Sequence, residues 1–228
     1  MKIVINSHKN SSIALNHLLE SMKIQENFKN YHIIICIGGF YENNQYYIET
    51  NENITYIKCY HNSIDFTGLI TLFELYRMNE TDYYFYLHDT CKVGSNFFNK
   101  LNLLSLDIHN ENISSMRITK NASMNIGIYS QKLINGYEYF FQEIKNTVEA
   151  NAMKLKQHPF TEDYIFNSDN NNKVIDNYNI HDVCNKCNIS EPVNYYNTGV
   201  LRIVEYYPNV DLYKMKANWG QGIWILDN

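Results

Sequence analysis

A chain of 228 residues, 45% of them hydrophobic, is long enough to build one packed core and too apolar to remain disordered. Nineteen basic against 24 acidic residues leave a net charge of −5, so nothing in the bulk charge recruits nucleic acid. The longest early apolar run, Tyr31 to Phe40, is about half of what a bilayer crossing needs, and no signal-peptide pattern opens the chain; the expectation is a cytoplasmic protein with no transmembrane segment.

Lys2 to Asn6 is a short β-branched run, followed by the polar loop Ser7 to Asn10 and by Ile13, His17, Leu18 and Met22 at helical spacing. Tyr31 to Ile37 is continuously apolar, as parallel strands buried on both faces must be, and Gly38-Gly39 ends it. Ile54 to Tyr60 repeats the theme. Asp65 is placed to cap a helix whose apolar residues Phe66, Leu69, Ile70, Phe73 and Tyr76 share a face, and Tyr83 to Leu87 is a fourth strand. This alternation predicts an α/β fold with a mostly parallel central sheet and helices on both faces, and such sheets bind ligands at the carboxyl ends of their strands.

The second half reads as mixed. Ile113 to Thr119 and Asn125 to Tyr129 are short strands; Leu133, Tyr137, Phe140, Phe141, Ile144 and Val148 mark one long amphipathic helix; residues 167 to 190 look like a loop-rich insertion; Val200 to Val204 and Ile223 to Leu226 are further strands. No repeat or linker divides the chain, so 1–228 is read as a single domain. Five cysteines, an odd and scattered set, read as free thiols. The 34 asparagines and 20 tyrosines against 5 alanines, 9 glycines and 3 prolines reflect AT-rich codons before they reflect function.

The segment richest in chemistry is Tyr83-Tyr84-Phe85-Tyr86-Leu87-His88-Asp89-Thr90, in which an apolar strand empties into a carboxylate at the edge of the sheet. Strand, polar loop, helix, strand, Gly-Gly, strand, helix and a strand running into an Asp-containing turn resembles the GT-A fold nucleotide-sugar glycosyltransferases, in the small form met in large DNA viruses and AT-rich bacteria. The resemblance covers roughly residues 1 to 100, the nucleotide-binding half, and leaves 101 to 228 as the acceptor-binding half. It implies transfer of a hexosyl or deoxyhexosyl unit from a UDP- or GDP-sugar to a carbohydrate or other hydroxyl acceptor, with Mn²⁺ or Mg²⁺ on the donor diphosphate; for a viral chain the compartment would be the host cytoplasm.

In that family the turn is Asp-x-Asp; here it is His88-Asp89-Thr90, so Asp89 is the one hard-oxygen anion available as metal ligand, with His88 beside it and Thr90 as a weak hydroxyl partner. The alternative is that Asp89 merely caps the helix carrying Phe97 and Phe98. The resemblance further implies nucleotide contacts from Ser7 and His8 in the first loop and from Asp65 at the start of its helix. A late Glu162-Asp163 pair implies an inverting mechanism, with Asp163 favoured over Glu162 as the base that takes the acceptor's proton; the same pair could be helix-start acids behind a Thr161 cap. In the tail, Lys214 and Lys216 could neutralise a diphosphate and Trp219 could stack on a sugar, or these could be ordinary surface and core residues. His181, Cys184 and Cys187 could hold zinc, with His158 as a fourth ligand, or form a loop with free thiols. Two other functions remain open: a sugar nucleotidyltransferase, disfavoured because Ser7 to Asn10 has one lysine and no glycine, and a sugar- or nucleotide-binding module without catalysis.

Overall fold

The computed structural model describes residues 1–120, 123–145, 162–176 and 201–217, excepting the side chains at 43, 201–205 and 215–217. Its centre is a sheet whose order among the described residues is β3-β4-β2-β1-β5-β8-β7-β9. The strands are β1 (Lys2–His8), β2 (Ile33–Gly38), β3 (Tyr47–Asn51), β4 (Ile54–Lys58), β5 (Tyr83–His88), β7 (Ser115–Thr119), β8 (Gly127–Ser130) and β9 (Asn172–Asp176). β4, β2, β1 and β5 are mutually parallel. They are the third, second, first and fourth parallel strands along the chain, so the winding reverses between β1 and β5. A crevice therefore opens at the carboxyl ends of those two strands.

Alternation along each strand feeds two cores. Ile3, Ile5, Ile33, Ile35, Phe85 and Leu87 face one side, where they meet Leu15 and Leu18 of α1 (Ser12–Lys23) and Phe97 and Leu101 of α3 (Phe97–Glu111). Val4, Ile34, Cys36, Tyr84 and Tyr86 face the other, against Leu69 and Phe73 of α2 (Thr67–Tyr76), Ile134 of α4 (Gln131–Asn135), Phe140 and Phe141 of α5 (Glu138–Ile144) and Phe166 of α6 (Tyr164–Ser168). The expected helices on both faces are present, and each fully buried Leu, Ile or Phe contributes about 1.5–3 kcal/mol. Among the described residues no helix is long and apolar enough to cross a membrane.

The second half is mixed in strand direction: β8 runs antiparallel to β5 and β7, and β9 runs parallel to β7. Several local expectations change. The single helix expected from Leu133 onward is broken at Gly136-Tyr137 into α4 and α5. The segment expected as loop from 167 contains the end of α6 and all of β9. β3, whose five residues are all exposed, was not expected; it is an antiparallel edge strand paired with β4. A second sheet, also unexpected, joins β6 (Cys91–Val93) to the hairpin of β10 (Leu201–Tyr207) and β11 (Leu212–Ala217) in the order β10-β11-β6. The strand expected at Ile223 to Leu226 lies outside the described residues.

Candidate functional site

β1 and β5 are neighbours in register, Asn6 opposite His88, so the residues that follow each strand emerge side by side. Ser7 Oγ donates to Asp89 Oδ2 at 2.8 Å, and the Asp89 N–H donates to the Asn6 carbonyl at 3.0 Å. Asp89 is only 7% exposed. Burial lifts its carboxyl from 3.8 to about 6, against the lowering pull of the Ser7 hydroxyl, the Lys214 charge, the Ser11 hydroxyl and the Thr90 N–H. The expectation that Asp89 caps α3 is not met: β6 intervenes, and the N–H of Asn96 at the helix start donates to Asp211 Oδ2 at 2.8 Å.

The third wall comes from the start of α2. Asp65 sits in a 3-10 turn, Ile64–Phe66, that runs into the helix, whose N-cap position is Phe66 and carries no side-chain cap. The capping role falls instead to Asn6, near the end of β1, which accepts from the Gly68 N–H at 2.8 Å and donates to the Ile64 carbonyl at 2.9 Å. That pair of bonds ties the helix start to the sheet edge. It leaves the Asp65 carboxylate beside His88, with Oδ1 3.6 Å from Nδ1, while the Asp65 carbonyl accepts from Tyr86 Oη at 2.8 Å. His8 closes the β1 side. A Cβ on Gly39, whose φ is +99°, would come within 2.7 Å of His8 Nε2, so glycine is needed there both for its backbone and for the ring's approach.

Asp163 reaches the same edge from α6. The loop before β8 holds two consecutive left-handed residues, Met124 (φ 49°) and Asn125 (φ 61°). Asp163 accepts from the Ser123 N–H at 2.6 Å and the Asn125 N–H at 3.1 Å, one on each oxygen, and so holds that strained loop in place. It precedes α6 but makes no side-chain cap to it. Burial raises its carboxyl, the two N–H donors and Arg117 oppose this, and the charge of Asp65 adds to the rise. Glu162, next to it, is half-buried.

Lys214 enters from β11, opposite Cys91 of β6, immediately past the Asp89-Thr90 turn. It is 5% exposed, its ammonium donates to the Thr90 hydroxyl, and its charge acts on Asp89. Ser7, His8, Asp65, His88, Asp89, Asp163 and Lys214 are thus carried to one edge by five separate elements. Lys216 lies on the same strand with its side chain not described, and Trp219, His158, His181, Cys184 and Cys187 lie outside the described residues. Asn6, Asp211 and the 123–125 loop were missed by sequence reasoning; a lone polar residue closing an apolar strand, as Asn6 does, was the available signal. The described cysteines, Cys36, Cys59 and Cys91, are buried thiols.

For a resident Mn²⁺ or Mg²⁺, the described residues form a poor donor set. No three His, Cys, Asp or Glu side chains among them come together as metal ligands. One oxygen of Asp89 already accepts from Ser7, and the charge brought toward it is an ammonium. With a diphosphate and water supplying most of the oxygens, the described residues would add Asp89 to the ion's donors and set an ammonium against it.

No protein-family model matches the chain, and no curated protein matches it. Among solved structures it is similar to S. aureus TarS 1-349, at 12% identity and a TM-score of 0.46 over 76% of this chain and 58% of that one. The same fragment in complex with UDP-GlcNAc aligns at 14% identity and a TM-score of 0.40, over 60% of this chain and 48% of the other. The galactosyltransferase LgtC, in complex with donor and acceptor sugar analogues, aligns at 12% identity and a TM-score of 0.49, over 77% of this chain and 73% of LgtC. The chain spans a little over half of TarS 1-349.

Proposed function

We propose that this protein is a glycosyltransferase that binds a nucleoside-diphosphate sugar at the β1–β5 edge and transfers the sugar to a hydroxyl acceptor. The observation that carries the reading is the meeting of Ser7, Asp89 and Lys214 where the sheet reverses its winding, which sets hydrogen-bond donors and a buried cation at the place where parallel sheets take phosphorylated ligands. Asp65, at the head of α2, is placed to accept from a ribose or base donor.

In the inverting form of the reaction, the acceptor oxygen attacks the anomeric carbon as the bond to the diphosphate breaks, and a carboxylate takes the acceptor's proton. Asp163 and Glu162 are our candidates for that base. Asp163 is buried near Asp65 and retains lone pairs beyond the two that face the 123–125 loop. A donor that is a hexosyl or deoxyhexosyl nucleotide, a glycan acceptor and a cytoplasmic location belong to the same proposal.

A panel of UDP-, GDP- and dTDP-sugars, screened by thermal shift and then by release of free nucleoside diphosphate, tests it. One donor should stabilise the fold and be turned over in the presence of an acceptor. Stabilisation without turnover would instead make this a binding module, and no stabilisation by any member would remove the reading.

A further inference from the structure

Lys214 is held in place more firmly than a surface lysine needs to be. The turn of its hairpin is anchored through Asp211: its carbonyl accepts from the Gly94 N–H at 2.7 Å, and its carboxylate accepts from the Asn96 N–H and from Tyr206 Oη, both at 2.8 Å. Lys100 donates to the Pro208 carbonyl, and Tyr207, Val210 and Leu212 are fully buried in the core shared with α3 and β6. The hairpin is therefore a fixed arm, and antiparallel register places Lys214 opposite Cys91, two residues beyond Asp89. Desolvating an ammonium costs several kcal/mol unless anions or dipoles answer it. Among the described side chains the answers are the Thr90 hydroxyl and the field of Asp89, itself a carboxylate whose ionised form burial disfavours; Glu205 stands opposite Lys214 on β10 with its side chain not described.

A diphosphate arriving at the edge would bring the anionic oxygens that an ammonium on a fixed arm can bind. A divalent cation beside Asp89 would meet that ammonium's repulsion. Resting on the functional reading above, we propose that Lys214 is the cation of the donor site and takes the place of a divalent metal, so that the protein binds and uses its nucleoside-diphosphate sugar without Mn²⁺ or Mg²⁺. In the transfer, the glycosidic C–O bond breaks with its electron pair passing to the diphosphate oxygen, and Lys214 stabilises that charge while remaining protonated.

The test is calorimetric titration of UDP and GDP into the full chain in EDTA and in Mn²⁺, for the parent protein, Lys214→Met and Lys214→Arg, with thermal melting to check folding. The parent should bind one of the two with affinities in EDTA and Mn²⁺ that agree within about twofold. Lys214→Met should lose about tenfold or more in both, and Lys214→Arg should recover part of that loss. A parent that loses tenfold or more in EDTA, or a folded Lys214→Met that binds as the parent does, overturns the proposal and leaves the transferase reading standing. If Lys214→Met does not fold, the comparison of parent protein in EDTA and Mn²⁺ decides alone. Absence of binding to either nucleotide under both conditions overturns this proposal; donor use in the broader sugar-nucleotide panel then separately decides the transferase reading.

Discussion

Replacing Asp89 by asparagine should stabilise the ligand-free protein. In the folded chain its carboxyl is raised from 3.8 to about 6. At about 1.4 kcal/mol per pH unit, the ionised side chain then costs the fold about 3 kcal/mol relative to the unfolded chain at neutral pH. The sign follows from proton binding: between the two values the folded state holds the proton more tightly, so stability falls as pH rises through that window and is level above it. Asparagine keeps the volume, and its carbonyl can still accept from Ser7, but it removes the charge that is expensive to bury. The attraction to Lys214 is already contained in that value; the buried amide NH2, which must find acceptors of its own, offsets part of the gain. Asp89→Asn should therefore exceed the parent by about 1–3 kcal/mol in urea unfolding at pH 7.5, with the difference shrinking toward zero near pH 4. Asp176, also raised to about 6 by burial, adds a similar slope to both proteins and cancels in the comparison. A variant less stable than the parent at pH 7.5, or a gap that widens as pH falls, would refute the account of the site's electrostatics.

Asp163→Ala should cost about 2–5 kcal/mol in the same unfolding experiment, because it orphans two buried N–H groups in a loop that already carries backbone strain, and Asp163→Asn should cost less. In transfer assays, removing the true base, tested by Asp163→Asn and Glu162→Gln, should lower the rate about a hundredfold or more with donor binding nearly unchanged; near-full transfer by both variants sinks this assignment. Gly127→Ala should prevent a stable fold, since its Cβ would stand 2.4 Å from the Met116 carbonyl oxygen and 2.8 Å from Phe166 Cζ, and a melting temperature within a few degrees of the parent would contradict that packing. Cys36, Cys59 and Cys91 should stay unreactive toward a thiol reagent in the native protein and react on denaturation; prompt native labelling at these positions, located by mass spectrometry, would show the core to be open.

The parallel half of the fold was legible because strands buried on both faces must be apolar throughout, and Ile33 to Cys36 or Tyr84 to Leu87 satisfy that without help from distant residues. β3 carries no such signature: it is an exposed edge strand whose pairing is made by its hairpin partner β4, so composition gives no hint of it. β9 is recruited by β7 across more than fifty intervening residues, and an Asn-rich start masks it. The helix after Ser130 looked continuous because its apolar spacing runs through Gly136, where local geometry turns the chain. At the site, Asp89 and Asp65 were visible as carboxylates at predicted element ends. Their partners were not, since Asn6, Asp211 and the 123–125 loop act by long-range hydrogen bonds that no local pattern encodes.

Two buried carboxylates at one edge have been given opposite surroundings, and the difference bears on what each can do. Asp163 faces two backbone N–H groups that are fixed by the fold, so its charge is answered inside the protein and its position is set before any ligand arrives. Asp89 is answered by the Ser7 and Ser11 hydroxyls, the Thr90 N–H and the charge of an ammonium on a separate hairpin, and its ionisation remains costly. A group whose environment is complete serves best as a positioned acceptor of one proton. A group whose ionisation stays costly is a place where an incoming ligand can reorganise charge, because the Ser7 hydroxyl and the Lys214 ammonium can donate to diphosphate oxygens without breaking the fold. Under the proposed function, acceptor chemistry falls toward α6 and donor chemistry between β1 and β5. Asp65 stands between them, at the head of a helix that Asn6 ties to the sheet. A displacement of that helix start would disturb both sides together, whereas a change at Lys214 or at Asp163 would disturb one.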